Sequence, residues 1–259
     1  MQQRLHLPNV TLCAATSVNV AATIASLNAS MAQIKFSDCL LFTDAEVLPD
    51  NPAVKVVPIT RLLSAKDYSE FLLRQLPAHV SSTHCLIVQW DGHVLNSASW
   101  DAKFLEFDYI GASWPQFRDG HDVGNGGFSL RSRRLLEICG GPNFPPGHPE
   151  DIFIGRVNRL RLEALGLKFA PKDVADRFSA ERAGDPSTTF GYHGVWHMPR
   201  LLGVEQFWKI YCSLDNRSTI RRDIGALLTE LHKGPHGKLR ALRIFLDQLA
   251  DAFKKGTDI

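Results

Sequence analysis

The sequence lacks long apolar runs and patterned cysteines. Nowhere in its 259 residues do about 18 apolar residues follow one another, which is the length that a membrane-spanning helix needs. The five cysteines are odd in number, lie far apart and form no CxxC or other metal-ligand spacing. We therefore expect no transmembrane helix, no disulfide framework, and cysteines that are small buried side chains in a reducing compartment.

The pattern of a secretory leader is missing as well. Pro8 and Asn9 interrupt the apolar residues near the amino terminus, and no basic stretch followed by a long apolar segment precedes them. A cytoplasmic protein is the expectation.

Neither sign of charge dominates the chain. The formal net charge is +2 at pH 7, which predicts no nucleic-acid partner. This average conceals a split, because residues 200–259 carry 11 Lys and Arg against 7 Asp and Glu, whereas residues 1–199 carry 18 against 20. We expect one mildly acidic domain over residues 1–199 and a basic amphipathic helical extension over residues 200–259.

Short apolar runs alternate with helical patterns in the first half of the chain. The apolar runs are residues 9–15, 38–42, 54–59, 84–88 and 107–112, and the helical patterns are residues 17–34 and 66–76. Continuous apolar strands are typical of a mostly parallel sheet covered by helices on both faces, so we predict an α/β fold. Ligands bind beyond the carboxyl ends of such strands, which singles out Thr16, Ser17, Asp44 and the segment Gln89–Gly92.

The pattern is less regular after residue 92. Residues 119–127 predict a loop rich in glycine and aspartate, and residues 140–149 a long turn. Helices are expected at residues 130–138 and 150–165, and two or three more between residues 204 and 255. An aromatic turn is expected at residues 190–196.

Two residues have the chemistry of a metal site. Asp91 directly follows a buried strand and precedes a glycine, which suits a carboxylate that holds Mg²⁺ or Mn²⁺ on a diphosphate. His193, between Tyr192 and Gly194, could complete that site because imidazole is a common metal ligand. The alternatives are an aspartate that caps a turn and a histidine that is satisfied within the core.

A glycine-rich loop and an acidic pair have the chemistry of a transfer site. Gly126 and Gly127 could admit a ligand against bare backbone, or could serve a tight turn. Glu150 and Asp151 could supply a general base for a hydroxyl nucleophile, or could cap the helix that they begin.

Taken in order, several motifs resemble one family. They are Gln89–Gly92, Asp108–Trp114, Val123–Ser132, Pro149–Asp151 and Gly191–His193. Together they resemble a family of bacterial and viral glycosyltransferase-like proteins, which looks like a branch of the nucleotide-sugar-dependent glycosyltransferases of GT-A type. The resemblance covers roughly residues 8–197 and is most specific from Asp108 to Ser132.

The resemblance implies a single GT-A-like, Rossmann-like domain and a role for each site residue. Asp91 and His193 would hold Mn²⁺ or Mg²⁺, with Gln89 standing where the family's first metal-binding acid is usual. Gly126 and Gly127 would border the donor sugar, and Thr16, Ser17 and Asp44 would face the base and ribose. Asp151 or Glu150 would act as the base in an inverting transfer of a sugar from a nucleoside-diphosphate sugar to a glycan or glycolipid.

Two other functions stay open from the sequence. One is a non-catalytic sugar- or nucleotide-binding module, for which Gln89 in place of an acid is the best argument. The other is a metal-dependent phosphoesterase or nucleotidyltransferase that uses Asp91, Asp151 and His193.

The basic extension also has two explanations. Its apolar and basic residues fit helices on an anionic membrane surface, which would allow peripheral contact with the inner membrane face through residues 200–259. Ordinary helices that pack against the protein and expose a basic face explain the pattern equally well.

Overall fold

The computed structural model describes residues 4–145 and 147–256. The strands, in chain order, are β1 (Leu5–Ala15), β2 (Ile34–Thr43), β3 (Lys55–Pro58), β4 (His84–Val88), β5 (Gly92–Val94), β6 (Tyr109–Ile110), β7 (Phe128–Ser132), β8 (Ser179–Ala180) and β9 (Gly191–His193). The helices are α1 (Val20–Gln33), α2 (Ala65–Arg74), α3 (Arg133–Gly140), α4 (Glu150–Ile152), α5 (Arg159–Ala164), α6 (Lys172–Phe178), α7 (Met198–Leu202), α8 (Val204–Ser213), α9 (Ile224–Leu231) and α10 (Gly237–Gly256).

Six strands form the central sheet, in the order β3-β2-β1-β4-β7-β6. Strands β3, β2, β1 and β4 are parallel, whereas β7 runs antiparallel to both β4 and β6. The predicted α/β fold with a mostly parallel central sheet flanked by helices is confirmed.

The sheet is buried on both faces, as the continuous apolar runs predict. On β1, Leu12 and Ala14 pack on one face with Leu27 of α1, in a cluster that includes the side chains of Phe104, Phe128, Phe178 and Phe190. Cys13 and Ala15 point to the other face and pack with Phe71 of α2. Successive residues of a strand alternate between faces, so one unbroken apolar run serves both layers.

A second sheet has three strands in the order β5-β9-β8. Strand β5 pairs antiparallel with β9, with Gly92 opposite His193. Strand β8 pairs parallel with β9, with Ala180 opposite Tyr192. Residues 190–196, predicted as an aromatic turn, therefore include a strand that joins two distant parts of the chain.

The prediction of a helix from residue 130 is wrong at its start. Phe128–Ser132 is strand β7, which pairs with the whole of β4 from His84 opposite Ser132 to Val88 opposite Phe128. The helix begins only at Arg133, where the Ser132 hydroxyl oxygen accepts a hydrogen bond from the Leu135 backbone N–H at 3.0 Å. Pairing with a neighbouring strand decides the structure of this short segment over its local helical pattern.

The chain divides into two compact units, Met1–His193 and Gly194–Ile259. Both sheets and α1 to α6 belong to the first unit, and α7 to α10 belong to the second. Within the described residues, none of the helices combines the length and the apolar character that crossing a bilayer requires. The predicted boundary near residue 200 stays a prediction.

Removing a large side chain from this core should destabilise the fold. Phe42 is fully buried and its ring lies 5.0 Å from the ring of Phe71, centroid to centroid. We expect Phe42→Ala to lower the free energy of unfolding by about 3–5 kcal/mol, because it leaves a cavity in a packed interior. Urea denaturation measures this, and Leu48→Ala, at a leucine that is 93% exposed, should change stability by less than about 0.5 kcal/mol.

Candidate active site

The strand order brings most of the predicted site residues to one edge of the central sheet. Strands β1, β2 and β4 are parallel, so their carboxyl ends, followed by Thr16, Asp44 and Gln89, meet at the same edge. Strand β7 runs the other way, so it begins at this edge, directly after Gly126 and Gly127. This is the edge at which α/β proteins bind their ligands.

The residues after β1 and β2 contact the segment that follows β3. The Ser17 hydroxyl oxygen accepts a hydrogen bond from the Leu62 backbone N–H at 2.8 Å, and the Asp44 carboxylate lies 3.9 Å from the Arg61 guanidinium. The Thr16 backbone N–H donates to the Phe42 carbonyl at 2.9 Å. Ser17 and Asp44 therefore contact the same segment after β3 and Thr16 contacts β2, whereas Asp91 contacts His193.

The three-stranded sheet brings two carboxylates to one histidine. Because Gly92 pairs with His193, Asp91 lies beside the His193 ring, and its Oδ1 is 3.4 Å from Nε2. Glu181 directly follows β8, the parallel neighbour of β9, and its Oε1 is 3.5 Å from Nδ1 of the same ring. All three side chains are largely buried, with exposed fractions of 10–17%.

This surrounding favours a positive charge at His193. Burial opposes protonation of the ring, but the carboxylates of Asp91 and Glu181 outweigh burial and raise the pKa of His193 well above its usual range. The Gln89 carboxamide also contacts the ring, since its Oε1 lies 3.1 Å from His193 Nε2 while its Nε2 donates to the Tyr68 hydroxyl at 3.0 Å.

Asp91 and His193 are the two predicted metal ligands, and His193 can bind a cation only after its ring loses the proton that the two carboxylates favour. Asp91 Oδ1 is buried and makes no hydrogen bond among the described residues, although it lies 3.4 Å from His193 Nε2, so it has a free lone pair for a cation. Magnesium is usually held by one or two carboxylates together with substrate phosphates, and imidazole suits transition metals. Within residues 4–145 and 147–256, no group of three or more His, Cys, Asp or Glu side chains is arranged to hold a metal by itself.

Gly126 and Gly127 join this cluster to the acidic pair. A Cβ atom on Gly127 would lie 2.2 Å from His193 Nε2, and one on Gly126 would lie 2.7 Å from Glu150 Oε1 and 3.1 Å from the Asp151 Cβ. Glycine is required at both positions because these side chains occupy the space that a methyl group would need. The two adjacent glycines thus hold the acids on one side and the histidine on the other.

Glu150 is a buried member of an ion pair. Its Oε1 accepts a hydrogen bond from Arg131 Nη2 at 2.9 Å, and both side chains are at least 94% buried. Its Oε2 accepts from the Ser69 hydroxyl at 3.1 Å. Through these two hydrogen bonds, Glu150 links the start of α4 to β7 and to α2.

Asp151 is in a different electrostatic environment. Burial, together with the negative charge of Glu150, raises the pKa of Asp151 to about 6, although hydrogen bonds from the backbone N–H groups of Ile152 and Gly126 oppose the rise. A carboxyl group with a pKa near neutrality can accept a proton from a substrate and release it again at physiological pH.

Sequence reasoning missed three polar residues of the site, namely Tyr68, Arg131 and Glu181. Glu181 directly follows the short strand β8 and so obeys the strand-end rule that singled out Asp91, but the sequence pattern does not single out a strand there. Arg131 gives no distinct signal, because residues 128–136 (FSLRSRRLL) contain three arginines and nothing in that segment marks Arg131 as the buried one. Tyr68 gives none either, since it lies 21 residues before Gln89 in the chain.

The buried ion pair should contribute strongly to stability. We expect Arg131→Met to lower the free energy of unfolding by about 3–5 kcal/mol, because it leaves the Glu150 carboxylate buried without its cation. The double variant Arg131→Met/Glu150→Gln should recover part of this loss. Urea denaturation of the unchanged protein, the single variants Arg131→Met and Glu150→Gln, and the double variant measures the coupling between the side chains.

A second Arg–Glu pair nearby provides the control. Arg133 and Glu137 lie 2.8 Å apart with side chains 49% and 56% exposed. Arg133→Met should cost less than about 1 kcal/mol, since exposed pairs contribute little. Equal losses for Arg131→Met and Arg133→Met would contradict the role given to burial.

Comparisons with known proteins gave one family and several solved structures. Residues 52–193 match the model of a family described as a protein of unknown function, DUF5672. A comparison with curated proteins found no match.

Three solved structures illustrate what the fold resembles. One is the galactosyltransferase LgtC in complex with donor and acceptor sugar analogues, at 16% identity over 80% of this chain and 96% of that chain, with a TM-score of 0.42. Another is the mannosyltransferase PcManGT from Pyrobaculum calidifontis in complex with GDP-Man and Mn²⁺, at 13% identity over 97% of this chain and 81% of that chain, with a TM-score of 0.44. The third is a glycosyltransferase involved in glycosylation of the major capsid of PBCV-1, at 13% identity over 78% of this chain and 98% of that chain, with a TM-score of 0.46.

The family match spans more than half of the chain and contains Asp91, Gly126, Gly127, Asp151 and His193. The chain therefore belongs to the DUF5672 family of proteins of unknown function.

Proposed function

We propose that this protein is a glycosyltransferase that moves a sugar from a nucleoside-diphosphate sugar to a hydroxyl group of a glycan or glycolipid, with inversion at the anomeric carbon and with help from a divalent cation. The observation that carries the proposal is the contact of two different chemical groups with adjacent glycines. On the first side, His193, which lies beside Asp91, packs against Gly127. On the second side, Glu150 and Asp151 pack against Gly126.

The first side has the chemistry of a diphosphate site. Asp91 and His193 would hold Mn²⁺ or Mg²⁺, which when bound supplies neutralisation of the charge that builds on the departing nucleoside diphosphate. Gln89 keeps the His193 ring in place through its carboxamide. Thr16, Ser17 and Asp44, at the ends of the neighbouring parallel strands, are the proposed contacts of the nucleoside, and Gly126 and Gly127 those of the donor sugar.

The second side has the chemistry of a general base. Asp151 accepts the proton of the acceptor hydroxyl as the hydroxyl oxygen forms a bond to the anomeric carbon. The bond between that carbon and the diphosphate oxygen breaks, and its electron pair leaves with the nucleoside diphosphate. A single displacement of this kind inverts the configuration of the anomeric carbon.

Asp151 suits the role of base better than Glu150. Glu150 is ion-paired with Arg131 and is 5% exposed, whereas the Asp151 oxygens accept hydrogen bonds from two backbone N–H groups. Asp151 is more accessible and has a pKa of about 6. We therefore assign Glu150 to positioning of its neighbour and Asp151 to proton transfer.

The proposed location is the cytoplasm, with peripheral contact at the inner face of a membrane. All five cysteines are free and four of them are buried, which suits a reducing compartment.

Replacing the proposed base should abolish transfer and leave donor binding intact. We expect Asp151→Asn to lower kcat by at least about 100-fold, because general bases contribute roughly 10²–10⁴ to rate. Calorimetry with the sugar nucleotide should give a Kd within about twofold of the unchanged protein's, since the proposed base acts on the acceptor hydroxyl and not on the nucleoside. Asp173→Asn, at an exposed acid that also begins a helix, is the control and should leave both quantities unchanged.

The same assignment predicts a pH profile. Asp151 acts as a base only when ionised, so kcat/KM should rise with pH through about 6 and level off above it. Unchanged turnover in Asp151→Asn would remove this residue from the mechanism, and a product of retained configuration would contradict the single displacement.

Binding of the donor should depend on a metal through Asp91. Thermal unfolding with Mn²⁺ and a panel of UDP- and GDP-sugars should give an increase in Tm of about 5 °C or more with one donor at 100 times its Kd. We expect Asp91→Asn to lose the Mn²⁺-dependent part of this increase, whereas Asp50→Asn, at an exposed acid, should keep it. Stabilisation by phosphate esters rather than sugar nucleotides would point to a phosphoesterase.

A further inference from the structure

Helix α10 carries its apolar residues on the outside. Five large apolar side chains of this helix are 41–67% exposed, namely Leu239, Leu242, Phe245, Leu246 and Leu249. Their spacing of three and four residues places them along one face over three turns. We call these five residues the outer stripe.

The packed face of the same helix is more polar than the outer stripe. Buried positions at Arg240, Ala241, Ile244 and Gln248 repeat at helical spacing. Arg240 Nη2 lies 2.8 Å from each carboxylate oxygen of Glu205, and Gln248 Nε2 donates to the Arg217 carbonyl at 2.7 Å.

This arrangement inverts the usual design of a surface helix, whose apolar stripe faces the core and whose polar side faces water. A contiguous row of five exposed large apolar side chains marks an interaction site rather than a solvated face.

Charge identifies the chemistry of the partner. The exposed side of α10 also carries Lys238 and Arg243. One of the acids of the helix, Asp247, lies 2.9 Å from Arg243 and 3.2 Å from Arg217 in ion pairs. Arg221, which lies 3.4 Å from Gln248 on the packed face, adds another positive charge next to the helix. A second copy of the chain would bring these bases against one another, but an anionic bilayer supplies the opposite charge and an apolar interior.

We propose that α10 lies on an anionic membrane surface and inserts the outer stripe between lipid headgroups. Leu239, Leu242, Phe245, Leu246 and Leu249 enter the boundary of the acyl chains, and Lys238 and Arg243 contact the headgroups at its borders. The inference rests on the helix itself and does not require the glycosyltransferase activity.

Cosedimentation of the full chain with vesicles tests this proposal. We expect binding to vesicles of phosphatidylcholine and phosphatidylglycerol at 3:1 that is at least about tenfold tighter than binding to phosphatidylcholine alone, and weaker at 0.5 M salt than at 0.05 M. No sugar nucleotide or acceptor is present, so the result is independent of the proposed reaction.

Two double variants separate the stripe from exposed leucines in general. Leu242→Gln/Leu246→Gln should weaken binding to anionic vesicles at least about tenfold. Leu160→Gln/Leu165→Gln is the matched control, because these leucines are 71% and 49% exposed and lie elsewhere, and it should bind within about twofold of the unchanged protein. Thermal unfolding should give the same Tm for all three proteins, since the replaced side chains face water.

Three results would overturn the proposal. One is equal vesicle binding by Leu242→Gln/Leu246→Gln and the unchanged protein. Another is equal binding to neutral and anionic vesicles at low salt. The third is a dimer in light scattering that Leu242→Gln/Leu246→Gln disrupts, together with no vesicle binding, which would make a second copy the occupant of the stripe.

Discussion

Burial of the Arg131 guanidinium constrains the candidate site more than any other interaction. A guanidinium cannot lose its charge in a protein, so a fully buried one needs a carboxylate partner. Glu150 is that partner, and Ser69 completes its hydrogen bonding. The pair fastens the start of α4 to the central sheet and so holds Asp151, the next residue, against the Gly126 backbone.

The absence of side chains at two glycines is the second constraint. The residues before β7 pass between the acidic pair and the His193 ring, and a Cβ atom on either glycine would clash with one of them. The sequence leaves two explanations open for the glycines of this loop, a tight turn or a place for a ligand, and the structure adds a third. The acidic pair and the His193 ring occupy the space next to the two glycines. Close packing of these side chains against the backbone is therefore the first reason for glycine at both positions.

The acidic pair illustrates how burial divides two similar residues. From the sequence alone, two adjacent carboxylates at the start of a helix are chemically alike, and either could act as a cap or as a base. Tertiary contacts give one of them a cation and remove it from solvent, which leaves the other with a neighbouring negative charge and a pKa near 6. Two carboxylates whose environments push their pKa values apart are a recurrent arrangement in active sites.

The amino-acid sequence by itself determined the α/β fold, the strands from β1 to β4 and the edge of the sheet where Asp91 lies. These follow from local pattern, because apolar runs and helical periodicity act over a few residues and strand ends follow from them. Strand β7, strand β9 and the contacts of Arg131 and Glu181 were decided only by the tertiary structure. Each of these depends on pairing between residues far apart in the chain, such as Gly92 with His193. The outward apolar face of α10 also depends on tertiary structure, because contacts with the rest of its unit decide which face of the helix is buried.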